Sequence, residues 1–101
     1  MQIISEQAKT DLRDIWEYIA EHNPDAARRT LIEISDKFDL LERNPKLGRT
    51  RHELLVNLRA FAVKKYVIHY TPLENGVEIF RILHGARDLD AIFDELVDYI
   101  N

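Results

Sequence analysis

The chain is predicted to fold as one α+β domain: a short N-terminal strand, an antiparallel helical hairpin packed on a small antiparallel sheet, and a C-terminal helix. Three observations carry this reading. Two amphipathic stretches in the first half are joined by Asn23-Pro24-Asp25, the runs RAFAV, YVIHY and VEIFRIL follow as strand-like segments, and a last apolar stripe is flanked by acids. The order is strand, two helices, three strands, helix.

Residues 2–4 are long enough for one short strand. Ser5 then offers a side-chain oxygen to the free amides of a first helical turn that begins with Glu6, although Ala8 stands where a reciprocal capping box needs Glu or Gln. Ala8, Leu12, Ile15, Trp16 and Ile19 recur at helical spacing and form the inward stripe, with Trp16 assigned to the core in preference to an interface anchor; Asp11, Arg13, Asp14, Glu17 and Glu21 take the wetter side. Asn23 caps the next helix, Pro24 suits its first position and Asp25 complements its dipole. Ala27, Leu31, Ile34, Phe38 and Leu41 repeat the stripe until Asn44 precedes Pro45 and ends it.

Residues 58–89 read as an antiparallel meander rich in β-branched and aromatic residues. Asn75-Gly76 is the dipeptide that accepts positive φ at both centres of a type I′ turn. That turn sets Glu74 against Val77, Pro72 against Ile79, Tyr70 against Arg81 and Ile68 against Leu83. Leu73, Thr71, His69 and Val67 then share the other face with Glu78, Phe80, Ile82 and His84. Both faces are half apolar, so helices are expected on one and a second shield, such as a partner, over part of the other. Lys64-Lys65 contains no glycine; a two-residue turn there is strained, and the alternative is a wider loop. From residue 88 to 100, Leu89, Ile92, Phe93, Leu96 and Tyr99 predict a third helix whose opposite side carries Asp90, Asp94, Glu95 and Asp98.

With 101 residues the chain is sized for a single core. It contains no cysteine, which excludes disulfides, thiolate metal sites and cysteine nucleophiles. His22, His52, His69 and His84 show no ligand spacing, and the 3 glycines form no phosphate loop, so neither metal nor nucleotide cofactor is expected. No run reaches the roughly 20 apolar residues that cross a bilayer, and no secretory signal pattern opens the chain; a cytoplasmic protein is expected.

The net charge is −4, which opposes a protein whose affinity comes from neutralising phosphates. The charge is unevenly placed. Residues 1–42 carry −5, residues 43–66 carry +6 and residues 67–101 carry −5. The central island comprises Arg43, Lys46, Arg49, Arg51, Arg59, Lys64 and Lys65 beside His52, and reads as a docking patch for an acidic protein segment or for nucleic acid, or else as a solvated loop.

The runs AKTDLRDIWEYIAEHNPDAA, LLERNPKLGR and LRAFAVKKYVIHYTPLENGVEIFRILHGARDL, in this order, resemble the ParE toxins of the RelE/ParE superfamily, known also as plasmid stabilisation proteins. The most specific part is Pro45 with Gly48-Arg49, then Leu58-Arg59, Tyr66 to Tyr70 and RILHGARDL. The resemblance covers nearly the whole chain. It implies a toxin of a type II toxin-antitoxin system that traps DNA gyrase on cleaved DNA, is wrapped by a ParD-type antitoxin and catalyses nothing itself. Lys64-Lys65 departs from relatives that place a glycine in that turn.

The superfamily's RelE-like branch cuts mRNA on the ribosome, which needs a base at the 2′-hydroxyl, cations on the developing phosphorane charge and a donor for the leaving oxygen. Arg59, Arg81, His84 and Arg87 are of suitable type. Against that chemistry, Asp88, Asp90, Asp94, Glu95 and Asp98 repel RNA, and Gly85 follows His84 where many RelE-like sequences end the site with a tyrosine. A purely structural reading pairs Arg81 with Tyr70 and Arg87 with Asp88, Asp90 or another acidic side chain, and makes His84 a satisfied, half-buried histidine. A non-toxic adaptor that only binds an antitoxin is the third alternative. The partner-binding candidates are therefore Arg49, Arg51, Arg59, Lys64, Lys65, Tyr70, Arg81, His84 and Arg87, with gyrase and antitoxin as protein partners and no sequence-specific nucleic acid contact.

Overall fold

The computed structural model describes residues 1–87 and 89–100, with side chains described through residue 95. The chain runs β1 (Gln2–Ile4), α1 (Glu6–Ala20), α2 (Pro24–Arg43), β2 (Arg49–Thr50), β3 (Arg59–Val63), β4 (Tyr66–Leu73), β5 (Gly76–His84) and α3 (Leu89–Ile100). Local chemistry sets the helix limits as expected. Ser5 Oγ accepts the Ala8 amide at 3.0 Å, Asn23 Oδ1 accepts that of Ala26 at 3.0 Å, and α2 stops at Arg43, one residue before Asn44-Pro45.

The sheet has five strands in the order β1-β5-β4-β3-β2. It is mixed, not purely antiparallel, because β1 lies parallel to β5 at one edge. The other edge is β2, two residues long and too short to show alternation in the sequence.

The β4–β5 register differs from the one the Asn-Gly signal predicts. Leu73 faces Gly76, so Glu74 and Asn75 form the turn, and Pro72 pairs with Val77, Tyr70 with Ile79 and Ile68 with Ile82. The slip has a tertiary cause. The Met1 carbonyl oxygen accepts the Val77 amide at 3.1 Å and occupies the space that a β-carbon on residue 76 would need, so glycine (φ +155°) is required there by the residue leading into β1 and not by a type I′ turn. The register shifts between His69 and Tyr70, leaving Phe80 as the extra residue, and Arg81 faces His69 in place of Tyr70. Because of this bulge both Ile79 and Ile82 reach the same core.

Lys64-Lys65 makes the narrow turn, with Val63 opposite Tyr66 and Lys64 at φ +55°, a left-handed conformation that disfavours a side chain.

The helical hairpin covers one sheet face with Ala8, Ile15, Ile34, Phe38 and Leu41 against Val63, Ile68, Tyr70, Val77, Ile79 and Ile82. Two assignments on α1 change. Trp16 is 40% exposed and is not a core residue, while Asp11, assigned to the wet side, is 8% exposed and completes the buried row between Ala8 and Ile15. The second face is shielded in part by the chain itself: Leu54, Leu58, Leu83 and Phe93 pack with Leu55, Phe80, Leu89 and Ile92. Asp88 and the side chains of Leu96, Asp98 and Tyr99 lie outside the described residues.

Candidate partner-binding groove

The β3–β4 turn and the turn after β5 meet at one corner of the molecule, where the Gly85 amide donates to the Lys65 carbonyl at 2.9 Å. This places Lys64, Lys65, His84 and Arg87 around one end of a groove of about 610 Å³ between α1 and the sheet. Ile15, Ile19, Tyr66, Ile82 and Leu83 supply its apolar surface, and Asp14, Tyr18 and Thr30 line the helical side. Burial, and then Tyr18, push the Tyr66 phenol up from its ordinary range, so Tyr66 offers a hydroxyl donor and no phenolate base.

His84 is exposed at this corner, against the half-buried reading. Its Nδ1 accepts the Ala86 amide at 3.1 Å and its ring meets Tyr66 edge-on at 5.8 Å, which orients Nε2 as the remaining donor of the neutral ring. Arg87 is exposed and, among the described residues, no ion pair joins it to Asp90; its other suggested partner, Asp88, is not described. Lys64 reaches Glu33 of α2 at 3.0 Å on the exposed surface, a contact that solvent weakens.

The remaining candidates serve elsewhere. Arg49 is exposed on β2, and Arg51 is held by Glu53 at 2.8 Å. Arg59 donates from Nη1 to the carbonyls of Lys46 and Gly48 at 3.1 and 2.7 Å. Tyr70 is fully buried; its hydroxyl accepts the Gly48 amide at 2.8 Å and donates to Pro45 at 2.8 Å. A β-carbon on Gly48 would meet Tyr70 Cε1 at 2.7 Å and the Ala60 carbonyl at 2.8 Å. The NPKLGR run is thus pinned to the sheet by the Tyr70 hydroxyl and by Arg59 Nη1.

Arg81 is likewise committed, and not to Tyr70. Its Nε and Nη2 donate to the two Asp11 carboxylate oxygens at 2.8 and 2.9 Å, and the Ile82 amide donates to the same carboxylate at 2.9 Å. The reason lies in the sheet edge. β1 pairs with β5 only through Ile79, and past that point Ser5 Oγ donates to the Phe80 carbonyl at 2.7 Å while Asp11 receives Ile82. Two α1-side residues thereby complete the polar edge that β1 leaves open. Asp11 is the residue that reading α1 from apolar spacing missed; its place between Ala8 and Ile15 on the inward row was the available signal.

The arrangement offers an apolar trough ending in cations, suited to gripping an amphipathic acidic segment. Among the described residues no group of three or more His, Asp or Glu side chains is placed to hold a metal.

Residues 3–89 match the family profile described as the ParE toxin of the type II toxin-antitoxin system parDE. The chain is 35% identical over 82 residues to Toxin ParE3 of Caulobacter vibrioides, a match that covers 80% of this chain and 82% of that protein. It also superposes on a chain of the structure titled as the chromosomal ParDE TA system from P. aeruginosa, with a TM-score of 0.69 at 18% identity over 82% of this chain and 92% of that one, a likeness of fold. On the extent of the profile match and the identity to a curated relative, the chain belongs to the ParE toxin family of type II toxin-antitoxin systems.

Proposed function

We propose that this ParE-family toxin acts in the cytoplasm by gripping DNA gyrase, without bond-making chemistry of its own, and is neutralised by a ParD-type antitoxin. The observation that most supports a non-catalytic reading is the commitment of Arg81 and Arg59. Of the four side chains suited to in-line RNA cleavage, Arg81 is occupied by Asp11 and Arg59 by two backbone carbonyls. Neither side chain lines the groove that holds His84 and Arg87, so the four do not converge on one place where a phosphorane could form. His84 and Arg87 do share the groove with Tyr66 and Lys65, and this is the feature that keeps ribosome-dependent mRNA cleavage as the second reading.

The antitoxin's C-terminal segment fits the groove with apolar anchors over Ile15, Ile19 and Tyr66 and carboxylates toward Lys65 and Arg87. Charge reversal at Lys65 and Arg87 lowers affinity and its salt dependence more than reversal at Arg49 and Arg51. Equal, negligible effects at both places would refute this docking.

Production of the toxin without antitoxin separates the readings. Gyrase-dependent DNA breaks with filamentous cells support the proposal. Rapid loss of translation with cleaved mRNA supports the nuclease, and normal growth supports a non-toxic adaptor.

A further inference from the structure

The second sheet face carries a titratable group that neither reading uses. His69 is fully buried, and neither of its ring nitrogens has a hydrogen-bond partner among the described residues. The Phe93 ring of α3 closes over it at a centroid distance of 5.1 Å, with Phe80 stacked on Phe93 at 5.9 Å. An imidazole without partners tolerates this site only while neutral, because a charged ring needs two acceptors and the roof is apolar.

The surrounding charges add to the constraint. Arg81 faces His69 from β5, and Arg51 stands at the start of the segment that carries Leu54 and Leu58. Asp11 of α1 is the compensating carboxylate, but its oxygens are taken by Arg81 and Ile82. Ala60 is the uncharged neighbour on β3; His52 and Glu53 are exposed, Glu53 on Arg51, as are Asp90, Asp94 and Glu95 of α3. Burial first, then Arg51 and Arg81, lower the His69 pKa from 6.5 to about 4, outweighing the Asp11 carboxylate and the Val67 backbone, which favour the charged ring but make no hydrogen bond of good geometry with it.

We propose that His69 is a proton-operated latch beneath α3, whose protonation in mild acid releases Phe93 and uncovers this face of the sheet. The closed state excludes the proton and the open state, with His69 in water, accepts it. Acid therefore favours opening throughout the interval between the two pKa values, by up to about tenfold per pH unit, and the gain ends once the closed form also protonates.

Hydrogen exchange of the α3 amides in the full chain, corrected for intrinsic exchange and followed from pH 7 to 4.5, tests the latch. The opening constant is expected to rise about tenfold per pH unit below the ordinary histidine range, and His69→Leu is expected to flatten that rise. An opening constant that ignores pH, or a slope unchanged in His69→Leu, would overturn the proposal. NMR titration of the His69 ring gives a second reading that does not depend on that variant folding. Phe93→Ala should move its pKa back toward 6.5. A ring that still titrates near 4 without its cover would also count against the latch.

Discussion

On the hairpin side of the sheet, two long helices seal a continuous core in which Ala8, Ile15, Ile34, Phe38 and Leu41 are at most 8% exposed, and the polar groups reaching it are all matched. Tyr70 makes two hydrogen bonds from its hydroxyl, and Asp11 accepts three. The opposite face is roofed by α3 and by residues 51–58, which form turns and no regular element. There, His69 holds the only buried side-chain polar atoms without a partner among the described residues. The contrast teaches that this fold places its polar matching where two helices are locked to a sheet edge, and leaves an unmatched group under its thinner cover, the part that opens at least expense.

The largest expected effect is on the matched side. Asp11→Ala strands the Arg81 guanidinium and the Ile82 amide, and should destabilise by about 3–5 kcal/mol in urea unfolding. The Asp11→Ala, Arg81→Ala double variant should lose less than the sum of the two single changes. Additive losses would show that the pair is not coupled.

Comparable truncations on the two faces sharpen the contrast. Phe38→Ala should lower global stability by about 3–5 kcal/mol. Phe93→Ala should lower it less, with α3 amides losing exchange protection while those of α1 and α2 keep theirs. Equal global losses from the two variants would mean that both faces unfold as one unit.

Acid should weaken the chain through the thin face. With the folded His69 pKa lowered to about 4 from 6.5, the unfolded state binds the extra proton across that interval. Stability is therefore full above pH 6.5 and falls with pH until about pH 4, by about 3 kcal/mol in all. Chemical unfolding at a series of pH values, with and without His69→Leu, measures the difference.

Tyr70→Phe removes the hydroxyl that joins Gly48 to Pro45 and should lose about 1–3 kcal/mol. The NPKLGR segment should gain exchange while the hairpin helices hold. The smallest change is Lys64→Gly, which relieves the left-handed backbone and should stabilise by at most about 1 kcal/mol, less what the exposed Lys64–Glu33 pair contributes. The same variant should weaken antitoxin binding, because the groove loses a cation.

Much of this architecture is written locally. Ser5, Asn23-Pro24 and Asn44-Pro45 set helix limits through their own amides and carbonyls, and the apolar spacing of α2 recovers its inward row without reference to the rest of the chain. Lys64, Lys65, His84 and Arg87 were legible as candidates by type and by position at strand ends, and the structure gathers them at one groove. Arg59, Tyr70 and Arg81 were not separable from them, because whether a polar side chain is free or spent depends on acceptors distant in sequence: Asp11 lies 70 residues from Arg81 and Pro45 lies 25 from Tyr70.

By itself, then, the sequence determined which segments become helix or strand, the two-residue β2 apart, the family they belong to and the charge each carries, since these follow from neighbours within a turn or two. Only the tertiary structure decided the β4–β5 register, the inward turn of Asp11, the exposure of Trp16 and the orphaned state of His69. Those outcomes rest on long-range competition. The Met1 carbonyl claims the space at Gly76, the unfinished edge of β5 claims the Asp11 carboxylate, and Phe93 closes over an imidazole that its own strand leaves unpaired.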